Sequence, residues 1–327
     1  MKRTISKKVT ISVVSIVVVM FTIMSIVIGC VVSNKLLDRY KSELQIQADK
    51  YNEEINAWVQ QKMLLVEETA TDLMCDNDFL RPNVYKVLAK HIEGQEDVFN
   101  LYLCTETQDI IMNDQELEKV VLGVFDPRTR PWYITAKEKG ATIIENPYKD
   151  ETTQSMCTTI STPIYDSTGA LYGVLAADVY LTKLQEIIDG IVYDEGAYGF
   201  LIDSAGNYVT HPNEKFNPTP EASILAMDVM PNLKSIFTKP GSRIIESKNY
   251  NGQNMYFATA LAEASGWSLG VAIPKNNATS EVVSVMTILV VIIILSIIII
   301  ATVLFLMMIL CNIAIQSLLR RVTRMYI

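Results

Sequence analysis

Two long stretches of this chain contain no charged residue at all. One runs from Val9 to Asn34. The other runs from Val282 to Leu319 and contains "ILVVIIILSIIIIATVLFLMMIL". About 20 apolar residues are enough to cross a bilayer as a helix, so both stretches qualify as membrane spans. The fold must therefore be built around two such helices, and the long segment between them lies on one side of the membrane. The flanks give the side. Lys2, Arg3, Lys7 and Lys8 precede the first span, and Arg320, Arg321 and Arg324 follow the second. Positive flanks stay in the cytoplasm, which places both termini inside and residues 33–281 outside. The whole chain carries −8, and the two ends hold seven positive charges and no acid, leaving −15 on the outer segment. A segment this acidic is a poor partner for nucleic acid.

A cleaved signal peptide competes for the first stretch. The apolar core is too long for a usual signal sequence, and no A-x-A-like site follows it. "VIGC" (Val27 to Cys30) has the form of a lipoprotein cleavage box that would acylate Cys30. The same length argument favours a retained helix. Five cysteines complete the picture. Cys30 and Cys311 lie in or beside the spans, and Cys75, Cys104 and Cys157 lie outside. Their number and spacing make neither a disulfide framework nor a metal site. They read as three buried thiols, with one bridge as the alternative.

After the first span, apolar and aromatic residues recur at Leu37, Tyr40, Leu44, Tyr51, Ile55, Trp58, Val59, Met63, Val66, Ala70 and Leu73. Spacings of three, four and seven mark one long amphipathic helix, a stalk continuing from the membrane. Whether it also forms a dimer seam is open at this point.

Beyond residue 95 the pattern changes to strands. "VFNLYLCT" reads as one, "DIIMN" as its partner. "MCTTISTPIYDSTGALYGVLAADVYL" reads as two strands joined by a turn at Asp166–Gly169, and "TKLQEIIDGIV" as a short helix. The sequence then repeats itself. "YGFLIDSAGNYVTHPN" is strand, turn, strand, and three more strands follow, with turns at Asn251–Gly252 and Ser265–Gly266. "LYGVLAADVYLTKL" and "WSLGVAIPKNNATSEV" occupy equivalent places, each leading from strand to helix. Two α+β units in tandem account for this pattern.

The ordered set of features resembles the double Cache (dCache) sensor domains of bacterial transmembrane receptors: the stalk helix, two mixed units, "DPRTRPWY" and "GVLAADVYLTKL" in the first, and "GFLIDSAGNYVTHPN" opening the second. The resemblance covers about residues 35–281. It implies an α+β fold, with a long N-terminal stalk helix carrying two PAS-like (Cache) units, flanked by two transmembrane helices. The expected divisions are a cytoplasmic N-terminus 1–8, membrane helix 9–32, stalk 33–78, membrane-distal unit 79–190, membrane-proximal unit 191–281, membrane helix 282–311 and cytoplasmic tail 312–327. The tail resembles the start of a HAMP-like helix.

The stretch "FDPRTRPWYITA" (Phe125 to Ala136) also resembles the amino-acid-binding motif of part of that family. Arg130, Trp132 and Tyr133 match its centre, Tyr148 its later tyrosine, and Asp178 its strand-end acid. Phe125 stands where the motif usually opens with a tyrosine, which removes one hydroxyl. The resemblance implies a ligand site in the distal unit made by Arg130, Trp132, Tyr133, Tyr148, Asp178 and Phe125, with no cofactor and no metal. Physical chemistry fits such a set. A zwitterion needs donors for its carboxylate, here guanidinium, indole and phenol, and an acid for its ammonium, here Asp178. The alternative is that Trp132 and Tyr133 are core and Asp178 caps a turn. Arg128 reads as a solvated turn residue, and His211, in "THPN", as a structural one.

No G-x-S-x-G, P-loop or metal-spaced His/Cys cluster is present, so the chain is not expected to be an enzyme. The expectation is the sensory part of a transmembrane receptor, chemoreceptor or sensor kinase/cyclase in type. It takes a small amino acid or related carboxylate, works as a homodimer, and relies on an output domain or partner that the chain does not contain. A degenerate sensor acting through protein contacts is the alternative, and an extracellular enzyme the third.

Overall fold

A computed structural model describes residues 2–124, 126–150, 156–192, 194–219, 222–233, 241 and 243–325. The chain divides into two compact units, residues 1–40 with 276–327, and Lys41–Lys275.

Helix α1 (Lys2–Asp76) is continuous over 75 residues. No proline interrupts it and Gly29 is its sole glycine, so no residue in it breaks the helix. It ends where Asn77 turns into the left-handed region (φ 47°) and returns its N–H to the Leu73 carbonyl at 3.1 Å. Within Lys41–Lys275, the stripe Leu44, Ile55, Val59, Val66, Ala70 and Leu73 is buried, and so is Ala48. One polar row of α1 ties the helix to the rest of this unit. Gln45 Nε2 donates to the Thr259 carbonyl (3.0 Å) and Asn52 Nδ2 to the Leu261 carbonyl (3.0 Å), while Asn56 Oδ1 accepts from the Ala264 N–H (3.0 Å). Higher on the helix, the buried Lys62 pairs with Asp97 (2.6 Å), and the Trp58 indole N–H donates to the other Asp97 oxygen (2.8 Å).

After α2 (Arg81–Ile92), the first sheet-bearing module contains β1 (Val98–Thr105), β2 (Ile110–Met112), α3 (Gln115–Val121), α4 (Pro131–Lys139), β3 (Ile143–Ile144), β4 (Tyr148–Lys149), β5 (Met156–Tyr165), β6 (Leu171–Tyr180) and α5 (Thr182–Asp189). Its antiparallel strands run β2-β1-β6-β5-β3, with β4 also on β5. The second module has β7 (Tyr198–Ile202), β8 (Tyr208–Thr210), α6 (Ala226–Val229), β9 (Arg243–Lys248), β10 (Asn254–Ala262) and β11 (Trp267–Pro274), in the order β8-β7-β11-β10-β9. The two orders are the same, element for element, so the sequence repeat is a repeat of topology.

The strands predicted at "VFNLYLCT" and around the Asp166–Gly169 turn are β1, β5 and β6. In that turn Asp166 Oδ1 accepts from the N–H groups of Thr168 (2.8 Å) and Ala170 (3.1 Å), and Gly169 takes φ 82°. Gly173 has a different reason to be glycine. A Cβ there would lie 2.2 Å from the Cys104 carbonyl oxygen on the neighbouring strand. The segment quoted around Arg130, which reads as a turn, is in fact two elements: a 3₁₀ turn at Pro127–Thr129 and the first turn of α4. Of the three outer cysteines, Cys104 and Cys157 are buried, but Cys75 is an exposed free thiol on the last turn of α1.

The chain ends in helix α7 (Lys275–Met325). In the unit formed by residues 1–40 and 276–327, α1 and α7 each carry a stretch long and apolar enough to cross a membrane. Side chains such as Met20, Phe21, Ile294 and Phe305 on these stretches are exposed, as lipid-facing residues would be.

Candidate ligand-binding site

The first sheet has two differently used faces. Along β1, Leu101 and Leu103 alternate with Asn100, Tyr102 and Cys104, and side chains two apart share a face. The second set lines a small cavity. Strand β2 adds Ile110 and Met112, α3 adds Val121, the start of α4 adds Arg130 and Trp132, and Tyr148, Asp150 and Asp178 complete the wall. Of the residues singled out from the sequence, Arg130, Trp132, Tyr148 and Asp178 therefore meet at one cavity. Phe125 lies outside the described residues.

Sheet register explains why Asp178 is where it is. On β6 it stands directly opposite Asn100 of β1 on one side and Thr159 of β5 on the other. All three reach into the same row. The Thr159 hydroxyl donates to Asp178 Oδ1 (2.6 Å), the Tyr102 hydroxyl donates to the same oxygen (3.0 Å), and Asn100 Nδ2 approaches Oδ2 (3.5 Å). Tyr148 extends the row, its hydroxyl 2.5 Å from that of Thr159. Asp178 is almost fully buried, and burial pushes its carboxyl up to about 7 despite these donors, with nearby Asp150 adding to the rise. Burial also raises the phenols of Tyr102 and Tyr148, so both are neutral hydrogen-bond donors near neutral pH.

Opposite this acidic row, α4 presents its N-terminus. Arg130 is the N-cap, in extended conformation, and Pro131 begins the helix without needing an N–H partner. Ser161 on β5 donates to the Trp132 carbonyl at 2.9 Å and pins this turn to the sheet. The Trp132 ring packs edge-on to Tyr102, centroids 5.4 Å apart. Among the described lining residues Arg130 is the only cation.

Tyr133 behaves differently from its neighbours. It is buried, but it does not line the cavity. Its hydroxyl donates to Glu106 Oε1 at 2.7 Å, where Lys137 also binds at 2.8 Å. Those two donors, Lys137 foremost, hold the Glu106 carboxyl below its usual range. Arg128 is likewise occupied, forked onto Asp126 and donating to the Glu106 carbonyl at 2.8 Å. Sequence reasoning missed Asn100, Tyr102, Thr159 and Asp150. The strand alternation through "VFNLYLCT" already put Asn100 and Tyr102 on one face. Tyr148 and Asp150 share a face by the same rule.

Chemically the cavity has two poles and an apolar wall. Asp178, Asp150 and three hydroxyls form an acceptor-rich pole suited to an ammonium group. Arg130 and the Trp132 indole form a donor pole suited to a carboxylate. Ile110, Met112 and Val121 give the wall its apolar surface.

Two topologically equal modules on one helix, the first with a two-pole cavity, are the architecture of a double-Cache sensor domain. The sequence profile described as Cache domain matches residues 32–282, and the chain belongs to that family. The methyl-accepting chemotaxis protein PscA of Pseudomonas syringae pv. tomato is 26% identical over 210 residues, which is 64% of this chain and 32% of PscA. The chain thus spans about a third of that relative's length. Among solved structures, the ligand-binding domain of Mlp24 with asparagine superimposes with a TM-score of 0.60 at 23% identity, over 76% of this chain and 97% of that one. The ligand-binding domain of the Pseudomonas aeruginosa amino acid chemoreceptor PctB with L-Arg gives 0.60 at 22% identity, over 74% and 97%. At these identities the structural likeness speaks for the fold.

Proposed function

We propose that this chain is the sensory part of a membrane receptor and that the cavity of its first module binds a free α-amino acid. One observation carries the reading: a buried carboxylate, Asp178, and a guanidinium, Arg130, line the same cavity with neutral donors around the acid. In this arrangement Asp178 takes the ammonium, with Tyr148 and Tyr102 supporting it, and Arg130 and Trp132 take the carboxylate. Support also comes from the neighbours, whose ligand-binding domains were solved with asparagine and L-Arg. Residues 33–281 form the extracellular part, with 79–190 membrane-distal and 191–281 membrane-proximal. Both termini are cytoplasmic, two copies pair, and the signal passes to a cytoplasmic output domain or partner. A sensor without a ligand would have no use for this polar cavity, so the protein-contact alternative has no such observation behind it.

The test is a thermal-unfolding screen of the full chain in lipid nanodiscs against free amino acids. A ligand at about 100 times its dissociation constant stabilises by about 2.7 kcal/mol. At least one amino acid should raise the midpoint, and Asp178→Ala should abolish the rise. A screen with no response from any amino acid rejects the reading.

A further inference from the structure

The second module contains a buried group of polar atoms that the reading above does not use. His211 follows β8 and is enclosed by rings. The centroids of Tyr198, Tyr208, Phe216 and Tyr250 lie 5.4, 5.3, 5.0 and 5.4 Å from its own, and Phe200 stacks at 6.1 Å. The backbone N–H of Asn213 donates to His211 Nδ1 at 2.8 Å, so Nδ1 carries no proton. Burial pulls the imidazole down to about 4, and the ring is neutral at physiological pH. Its one N–H is therefore on Nε2. That atom and the hydroxyls of Tyr198 and Tyr208 are buried and have no hydrogen-bond partner among the described residues. Asn249 lies near the Tyr198 hydroxyl but outside hydrogen-bond geometry. A buried polar atom left unpaired costs about 1–3 kcal/mol, so three in one cluster are a feature in need of a partner.

Comparison with the first sheet shows what sort of partner. The turns after β1 and β7 are closed alike, by Thr105 N–H to the Asp109 carbonyl and by Asp203 N–H to the Asn207 carbonyl, so Phe200 stands where Tyr102 does and Tyr198 where Asn100 does. In the first sheet Asn100 faces Asp178, which is paired in turn with Thr159. In the second Tyr198 faces Ala272, which is paired with Phe257. The acid and the hydroxyl that would hold an ammonium are replaced by apolar side chains. Gly270 completes the change, because a Cβ there would fall 2.2 Å from the Phe200 ring, which occupies that space. What remains is a donor-rich aromatic cage: one obligate N–H donor, two phenols and no charged group among the ring contacts.

We propose that this cage is a second ligand site, for a small uncharged molecule with a carbonyl oxygen and no ammonium group, of the primary-amide kind. The carbonyl oxygen would accept from His211 Nε2–H and a tyrosine hydroxyl, and the body of the molecule would pack on the rings. A carboxylate of the same shape is disfavoured, because no cation would accompany its buried charge. The proposal stands independently of amino-acid binding by the first module.

The experiment uses the full chain in nanodiscs and follows thermal unfolding with millimolar acetamide, and with acetate as the charged isostere. Acetamide should raise the midpoint by about 3 °C, and acetate should not. Tyr198→Phe and Tyr208→Phe each remove one unpaired hydroxyl and should fold at least as stably as the wild type. Both should lose the acetamide response. Asp178→Ala, which disables the first site, should keep it. The proposal fails if acetamide has no effect on the wild type, if acetate matches it, if both phenylalanine variants still respond, or if Asp178→Ala removes the response. In any of those cases the three polar atoms are partnered by ordered water.

Discussion

Thr159 gives its hydroxyl proton to Asp178 across the β5–β6 pair, Oγ1 to Oδ1 at 2.6 Å. A hydroxyl has one proton, so the 2.5 Å contact between Thr159 and Tyr148 must be donated by the tyrosine. The two bonds form a one-way chain that ends on the buried carboxylate. Thr159→Val keeps the shape and breaks the chain. A hydrogen bond to a charged group contributes about 1.5–3 kcal/mol, so amino-acid affinity should fall by roughly ten- to a hundred-fold, with Thr159→Ser close to wild type. Calorimetric titration of the full chain measures both. Equal affinities for the valine and serine variants would remove Thr159 from the site.

Asp178 also sets a pH dependence. Its carboxyl is pushed up to about 7 by burial, and an ammonium ligand needs it ionised. Affinity should be flat above about pH 8 and fall by roughly tenfold for each unit below about 7. Stability of the ligand-free protein should move the other way. Between its ordinary value of 3.8 and about 7, the folded state holds a proton that the unfolded state has released. This group's contribution is therefore fully present below about 4 and is lost as pH rises to about 7. Asp178→Asn should flatten that part of the pH–stability curve. An unchanged slope in this variant would show that the carboxyl titrates normally.

The three residues crowded around Pro131 should separate cleanly. Arg130→Ala leaves a ligand carboxylate without its charged partner, a loss of about 2–5 kcal/mol, or roughly 30- to several-thousand-fold in affinity. Arg128→Ala should change affinity little, because that guanidinium is committed to Asp126 and Glu106. Tyr133→Phe should also stay within about threefold, because its hydroxyl serves Glu106 and not the cavity. A large loss in Tyr133→Phe would mean that the ring turns inward when ligand binds.

Topology can be tested with a native thiol. Cys75 is exposed, whereas Cys104 and Cys157 are buried. In a Cys30→Ser, Cys311→Ser variant, a membrane-impermeant maleimide should label Cys75 on intact cells. Labelling that appears only after permeabilisation would reverse the orientation.

The long elements were legible because their signals are long. An uncharged run or a stripe repeated over forty residues has few alternative readings, and paired strands around an Asp–Gly turn follow the same logic. The short helices α2 and α3 were not seen. No side chain caps the start of α2, and α3, with Glu118 and Val121 as its buried residues, depends on Asp114, whose carboxylate accepts from the N–H groups of Glu116 and Leu117. The candidate site was legible where a motif is contiguous, at Arg130 and Trp132. Asn100, Tyr102 and Thr159 come to Asp178 only through register, a relation between strands that no single segment carries. Tyr133 marks the limit of the motif. Sequence places it beside Trp132, but helical geometry turns its hydroxyl toward Glu106.

The Lys62–Asp97 pair of the long helix lies close to this row. Asp97 is three residues before Asn100 on the same chain segment, and its carbonyl accepts the N–H of Tyr180, two residues past Asp178. The β1–β6 register shifts by one between Val98 and Asn100, so Phe99 is the extra residue of a bulge between the two. A bulge is where a strand bends most readily. If an occupant draws Asn100 and Asp178 together, the displacement is absorbed at Phe99 or passed on to the carboxylate that Trp58 and Lys62 grip. The stiffness of one residue then decides how much of the ligand's work is delivered to the helix and how much is dissipated within the sheet.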